Sequence, residues 1–304
     1  MRKRADAMQI CHTIREFREA RAVLTRSGKT LGLVPTMGAL HEGHLSLVRS
    51  AASECDAVAI TIFVNPTQFA PGEDFDRYPR TFEADLALLQ SENVALVFAP
   101  SPAEMYPPSA PQVIVDIPEI GARLDGASRP GHFRGVATVV SKLFNITTPD
   151  RAYFGQKDAA QVAVLRAMVR ALDTPVDVRV CPTVRDVDGL ALSSRNRYLS
   201  ALERTQALAL PRILESVAER ITPGSDLAML RASLAAKLNA ADGFTLDYAA
   251  IVHPDTLLPI SSLDEGALIA AAVHVGKTRL IDNIVLTPVA REHEELTLTA
   301  GAAR

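Results

Sequence analysis

The chain reads as an α/β protein: a doubly wound, Rossmann-like parallel sheet followed by a second, smaller α+β domain. Three observations predict this. Through the first two-thirds, helix-like and strand-like segments alternate, the pattern of consecutive βα units. The strand-like segments include continuous apolar, β-branched runs, as expected for strands covered on both faces. From about Asp186 the order changes to two helical segments and then two strand-like ones. That change divides the chain into 1–184 and 185–304, with Asp186-Val-Asp-Gly189 as a hinge.

The elements follow in order. Ile14, Phe17, Ala20, Val23 and Leu24 have helical spacing. Residues 31–34 form an apolar strand, ended by Pro35, which lacks a backbone donor. Leu45, Leu47, Val48 and Ala51 predict a helix opening near Gly43. Residues 56–64 are strongly β-branched and predict a central strand. A helix over 81–91, a short strand over 95–98 and an extended segment over 113–117 come next. Then follow a helix over 132–146, a strand over 151–155, a helix over 157–172 and a strand over 176–184. In the second domain, helices are expected over 201–220, interrupted by Pro211, and over 225–238. Strands over 244–252 and 268–275 complete it, before Arg279-Leu-Ile-Asp-Asn283 and a polar tail.

At 304 residues the chain can bury a sizeable core. Its 48% hydrophobic and 22% charged shares are those of a globular protein, and a net charge of −3 gives no reason to expect a nucleic-acid partner. Cys11, Cys55 and Cys181 are few, scattered and odd in number, which points to reduced thiols and a cytoplasmic location. No apolar run is long enough to span a bilayer. The basic start, Met1 to Met8, has no apolar segment behind it. It reads as a loose tail, with Met8 as an alternative true start.

Chemistry concentrates at three strand-to-loop junctions. In Thr36-Met37-Gly38-Ala39-Leu40-His41-Glu42-Gly43-His44 a strand delivers two histidines to a helix mouth. Unpaired N–H groups and a partial positive charge suit phosphate there. Gly43 leaves backbone open to a flat base or ribose. A surface turn is the plain alternative, and zinc a weaker one, because the spacing is not that of a metalloprotease helix and no third ligand is near. At the second junction, Gly155-Gln156-Lys157-Asp158 opens a helix with a phosphate-neutralising lysine and a carboxylate suited to ribose hydroxyls. At the third, Val184 leads through a loop to Leu192-Ser193-Ser194-Arg195, two hydroxyls and a planar fork that make a phosphate clamp. Asn65 and Gln68 follow the central strand and offer donors and acceptors to a small polar substrate.

His41-Glu-Gly-His44 resembles the HIGH signature of the nucleotidyltransferase superfamily, which includes the class I aminoacyl-tRNA synthetases. The longer string from Pro35 to His44, with the lysine and Ser-Ser-Arg segments in the same order, resembles the pantoate–β-alanine ligases. The resemblance runs from Pro35 to Asn196, with a weaker echo over 279–283. It departs from the common family form at Ala159, Ala160 and Leu192.

The resemblance implies ATP-dependent ligation of (R)-pantoate to β-alanine through a pantoyl adenylate, releasing AMP and pyrophosphate. It implies His41, His44, Lys157 and Arg195 as catalytic groups, and an ATP site built from residues 37–44, 155–158, 184 and 192–195. It assigns Gln68 and Gln161, with Asn65 beside them, to pantoate and β-alanine. It associates Asp85 with Mg2+, Tyr78 with a closing segment, and the whole chain with a homodimer. His44 is the expected proton donor to the phosphoryl group, since imidazole titrates near neutrality. His132-Phe-Arg134-Gly135 is family-like without an evident role. A cytidylyltransferase-type enzyme, or a nucleotide sensor without turnover, are the competing readings.

Overall fold

The structure, a computed structural model, describes residues 8–287. The basic start and the polar tail singled out above lie outside the described residues, apart from Met8 and the few residues before 288. Six strands form one sheet: β1 (Gln9–Cys11), β2 (Leu31–Thr36), β3 (Ala57–Ile62), β4 (Leu96–Phe98), β5 (Arg151–Gly155) and β6 (Asp177–Cys181). Their order is β1-β4-β3-β2-β5-β6, and every pair is parallel. The helices around it are α1 (Ile14–Arg26), α2 (Glu42–Glu54), α3 (Phe82–Leu89), α4 (His132–Thr147) and α5 (Ala159–Ala171).

The sequence makes these elements for local reasons. The Thr13 hydroxyl accepts from the Glu16 amide while Glu16 reaches back to the Thr13 amide, so a capping box starts α1. β2 is apolar on both faces: Leu31 and Leu33 join the core with Phe17 and α4, whereas Val34 faces α2 with Leu47 and Val48. Gly32 shares the α2 face, where a Cβ would stand 3.0 Å from Ala51 and 3.1 Å from the Tyr153 ring. The helix can approach β2 only because that side chain is missing.

From β2 the chain steps to β3 and β4 on one side, and from β5 to β6 on the other. The strand order therefore reverses between β2 and β5. In such sheets the crevice beyond the carboxyl ends at the switch point receives ligand. The two segments emerging there are Met37–His44 and Gln156–Asp158, two of the three junctions that the sequence marked.

A second sheet, β7 (Phe244–Val252), β8 (Ala267–Val275) and β9 (Thr278–Leu286), is antiparallel. Alternation along β8 divides its faces. Leu268 and Ala270 pack with the α4 and α5 core, while Ile269, Ala271 and Val273 pack against α7 (Ala209–Ala218) and α8 (Leu227–Ala240), which follow α6 (Ala201–Ala207).

Two expectations change, and two strands have no counterpart in the sequence reading. Residues 113–117 join no sheet: Val113 and Ile114 are exposed, and Val115 bonds instead to the Thr138 hydroxyl. The helix expected over 201–220 breaks at Leu208, not Pro211. Pro211 lies in the first turn of α7, where its missing N–H has no intrahelical partner to lose. β1 is only three residues long, too short to leave a periodic signal. β9 extends over the C-terminal echo, its strand pattern obscured by buried Asp282 and Asn283.

Candidate active site

After β2 the backbone turns through Gly38 and Ala39, with φ of 83° and 51°. The left-handed conformation at Ala39 is costly for a residue with a Cβ. Asp85 on α3 holds it. Its Oδ2 accepts from the Ala39 amide at 2.9 Å, and its Oδ1 from the Leu40 amide at 2.9 Å and the Thr81 hydroxyl at 3.1 Å. The carboxylate is buried, with both oxygens engaged. This arrangement gives Asp85 a direct hold on the turn that carries the histidines. No group of three or more His, Cys, Asp or Glu side chains with the makings of a metal site occurs among the described residues.

His41 caps α2 through its own ring: its Nδ1 accepts from the Gly43 amide at 3.2 Å, and the Nδ1 of His44 accepts from the His41 amide at 3.4 Å. The rings lie 4.1 Å apart between centroids. A Cβ on Gly43 would meet His41 Cε1 at 2.9 Å, so only glycine admits this arrangement. With Nδ1 accepting, each imidazole carries its proton on Nε2. Burial, and then the Lys157 charge, push His41 down to about 4. Burial, His41 and Lys157 push His44 down to about 3. The expectation that His44 titrates near neutrality is therefore corrected. It is a neutral N–H donor at pH 7, because its ring is desolvated beside other cationic groups.

Around this pair is a cavity of about 240 Å³. Met37, His41, Gly43 and His44 line it from the first junction, Gly155, Lys157 and Asp158 from the second, and Val184, Leu192, Ser193, Ser194 and Arg195 from the third. Gln68 and Gln161 complete the wall. Gly38, Ala39, Leu40, Glu42 and Gln156 do not reach it. The first three form the buried turn, Glu42 pairs with Arg49 on the surface, and the Gln156 side chain turns to Asn283.

Arg129, Lys157, Asp158, Gln161, Ser193 and Arg195 also line a larger cavity of about 1070 Å³, which runs towards the second sheet. The larger space lacks His41 and His44, and through these shared residues the two cavities adjoin as one cleft.

Arg195 does not stand free. Its Nε and Nη2 donate to the two oxygens of Asp74 at 3.0 and 3.1 Å. The Ser194 hydroxyl donates to the Ala39 carbonyl at 3.1 Å, fastening the third junction to the first. Tyr78 is buried in the cavity wall.

Asn65 also lines this cavity, but its polar atoms are turned to the protein. Its Nδ2 donates to Gln68 Oε1 and the Gly135 carbonyl, and its Oδ1 accepts from Thr67 and the Tyr106 hydroxyl. It is buried and has no capacity left. It holds Gln68, whose Nε2 has only the Met37 sulfur, a weak acceptor, at 3.1 Å.

The His132-to-Gly135 segment gains a role from the same contacts. His132 Nδ1 donates to the Gln68 carbonyl at 2.8 Å, and Gly135 lets α4 press against Thr67 and Gln68. Arg129 is a functional candidate that the sequence reading missed, and Glu73 and Asp74 are ones it gave no individual role. Arg129 forks onto Glu73 at 2.7 and 2.6 Å and reaches His132 at 3.0 Å. A charged loop preceding a helix was their only local signal.

The family described as pantoate-beta-alanine ligase matches residues 9–285. The chain belongs to the pantoate–β-alanine ligase family. It is 57% identical over 265 residues to a pantothenate synthetase of Acidobacterium capsulatum, covering 86% of this chain and 88% of that one. A pantothenate synthetase structure from Thermus thermophilus is 49% identical, spans 92% of this chain and all of its own, and superposes with a TM-score of 0.83. A pantoate-beta-alanine ligase from Francisella tularensis, complexed with beta-gamma ATP and beta-alanine, is 37% identical over 92% of this chain and 98% of its own, with a TM-score of 0.74. The pantoate–β-alanine ligase family thus spans both sheets of this fold.

Proposed function

We propose that this ligase joins (R)-pantoate to β-alanine through a pantoyl adenylate made in the cleft at the β2/β5 switch point. One observation carries the reading: His44, Lys157 and Arg195, from three distant segments, line one cavity. Membership of a family that forms this amide bond supplies the overall reaction.

In the first half-reaction a pantoate carboxylate oxygen attacks the α-phosphorus of ATP, and the bond to pyrophosphate breaks. The substrate brings its own nucleophile, so the protein has to juxtapose two anions and stabilise the charge that grows on the phosphoryl oxygens. Lys157 and Arg195 supply positive charge. The neutral Nε2–H groups of His41 and His44 supply aligned donors that need no protonation. Ser193 and Ser194 flank the clamp, while Gln68 and Gln161 hold the pantoate. In the second half-reaction the β-alanine amine attacks the acyl carbon, the C–O bond to AMP breaks, and the amine releases one proton. Magnesium, in our reading, enters with the triphosphate and its waters rather than through Asp85.

The division at 184/185, with the second domain as a lid, belongs to this proposal, as do a homodimeric assembly and a cytoplasmic location. The three cysteines are free, and no helix among the described residues is long and apolar enough to cross a membrane. An assay that omits substrates in turn tests the reading. Pyrophosphate is expected only with pantoate, and sustained AMP release only when β-alanine is added. AMP release independent of pantoate would overturn it.

A further inference from the structure

Two neighbouring residues of β9 hold two arms of the cleft. Asp282 and Asn283 are both buried, and as neighbours in a strand they point to opposite faces.

Asp282 takes Arg185 in a bidentate pair, Oδ2 at 2.6 Å and Oδ1 at 3.1 Å, and its Oδ1 also accepts from the Asn283 amide at 2.8 Å. Arg185 stands at the base of a tight hairpin. It bridges to Ala191, its guanidinium donates to the Gly189 carbonyl at 3.2 Å, and the Leu192 amide donates to the Val184 carbonyl at 3.0 Å. That hairpin runs directly into Ser193–Arg195.

Asn283 faces the other way. Its Nδ2 donates to the carbonyls of Gln156 and Lys157 at 3.0 and 2.9 Å, and its Oδ1 accepts from Gln156 Nε2 at 3.1 Å. Every hydrogen-bonding position of its carboxamide except one lone pair is thus spent on the turn that presents Lys157. The turn makes no side-chain cap of its own for α5, so Asn283 supplies the fastening.

We infer that the Asp282–Asn283 pair sets the separation of Lys157 and Arg195, making the second sheet a gauge for the triphosphate. The two residues touch no substrate in this account; they are positioning residues. The inference rests on the reading of Lys157 and Arg195 as phosphate-binding groups. Its consequence is selective. A slack gauge weakens ATP binding and adenylate formation, and leaves the attack of β-alanine on a formed adenylate intact.

The test compares Asn283→Ala and the isosteric Asn283→Asp, which keeps the shape but cannot donate to two carbonyls, with Lys157→Ala as control. Pyrophosphate release is measured against ATP, and capture of pre-formed pantoyl adenylate against β-alanine, on protein shown by circular dichroism to be folded at the assay temperature. Both Asn283 variants are expected to raise the KM for ATP about tenfold or more and slow adenylation, with the KM for β-alanine within about twofold of the parent. Equal losses for both half-reactions, or an unchanged KM for ATP, would overturn the inference. The control separates the two layers. If Lys157→Ala raises the KM for ATP and the Asn283 variants do not, only the gauge fails; if Lys157→Ala has no effect, the reading of the phosphate arm fails.

Discussion

Arg195 and Asp74 lock together in a bidentate pair across the mouth of the cleft, Nε to Oδ2 at 3.0 Å and Nη2 to Oδ1 at 3.1 Å. The guanidinium proposed to grip phosphate is therefore already gripped, by a carboxylate just before Tyr78, in the segment that the family resemblance associates with closing. On that proposal, ATP displaces Asp74. Removing the carboxylate should help the nucleotide while leaving the empty protein with an uncompensated, partly exposed cation.

Asp74→Asn is accordingly expected to lower the KM for ATP severalfold. It should also lower the melting temperature of the nucleotide-free protein by about 2 °C, corresponding to about 1 kcal/mol for a pair with solvent access. ATP should then raise the melting temperature of the variant more than that of the parent. Thermal shifts with and without ATP check this. An unchanged KM would mean that Asp74 orients Arg195 and does not compete with phosphate.

The histidines predict acid lability. His44 lies near 3 and His41 and His132 near 4, all below the ordinary 6.5. Burial is the first cause in each, reinforced by the Lys157 charge at the first two and by Arg129 at His132. Because these values are depressed on folding, the unfolded chain binds more protons between pH 6.5 and the folded values. Their stability contribution is whole above pH 6.5 and is lost as pH falls towards 4. The slope is at most about 1.4 kcal/mol per pH unit for each histidine. Urea melts from pH 7.5 to 4.5 should show it, and His44→Gln should flatten it. Adenylation should show no ionisation of His44 between pH 6.5 and 8.

Asp85 gives a third prediction. Asp85→Asn retains one acceptor but turns an amide N–H towards the Ala39 or Leu40 amide. A cost of about 2 kcal/mol in stability is expected from the unpaired buried donors. Adenylation should slow as His41 loses its frame, with no change in the magnesium concentration that gives half-maximal rate. A shift of that concentration by tenfold or more would return Asp85 to the metal.

The parts of this site that could be read from the sequence are those built by neighbours in the chain. The β2-to-α2 junction announces itself through an apolar run, a glycine and a helical stripe, all within about twenty residues. The lysine turn after β5 does the same. Burial cannot be read in this way, and it decides three roles. Asn65 and Asp85 are residue types that bind substrates and metals, yet here each is engaged by backbone and side-chain partners, several of them from remote elements. His44 reads as an ordinary titrating imidazole because nothing local to Gly43 tells how deeply its ring is enclosed. The pairings of Asp74 and Arg129 escape notice for the complementary reason: their partners, Arg195 and Glu73, stand 121 and 56 residues away.

Gly135 offers the last prediction and the one most specific to a substrate. A Cβ there would stand 2.3 Å from the Thr67 carbonyl oxygen and 2.7 Å from Gln68 Cα. Both are backbone atoms, so the clash cannot be relieved by a rotamer change, and either α4 or the Pro66–Gln68 turn has to move. The carbonyl of Gly135 also accepts from Asn65, which orients Gln68. In Gly135→Ala a retreating turn carries Gln68 away from Gln161, across the space assigned to pantoate. The KM for pantoate should rise about tenfold or more, since a displacement near 1 Å suffices for large losses. The KM for ATP should stay within about twofold, because the histidine turn, Lys157 and Arg195 are held by other contacts. Overpacking costs about 1–3 kcal/mol in stability, so the kinetics are to be measured well below the variant's melting temperature. A parallel rise in both KM values would show that α4 supports the whole cleft, and would remove the selective assignment of Gln68 to pantoate.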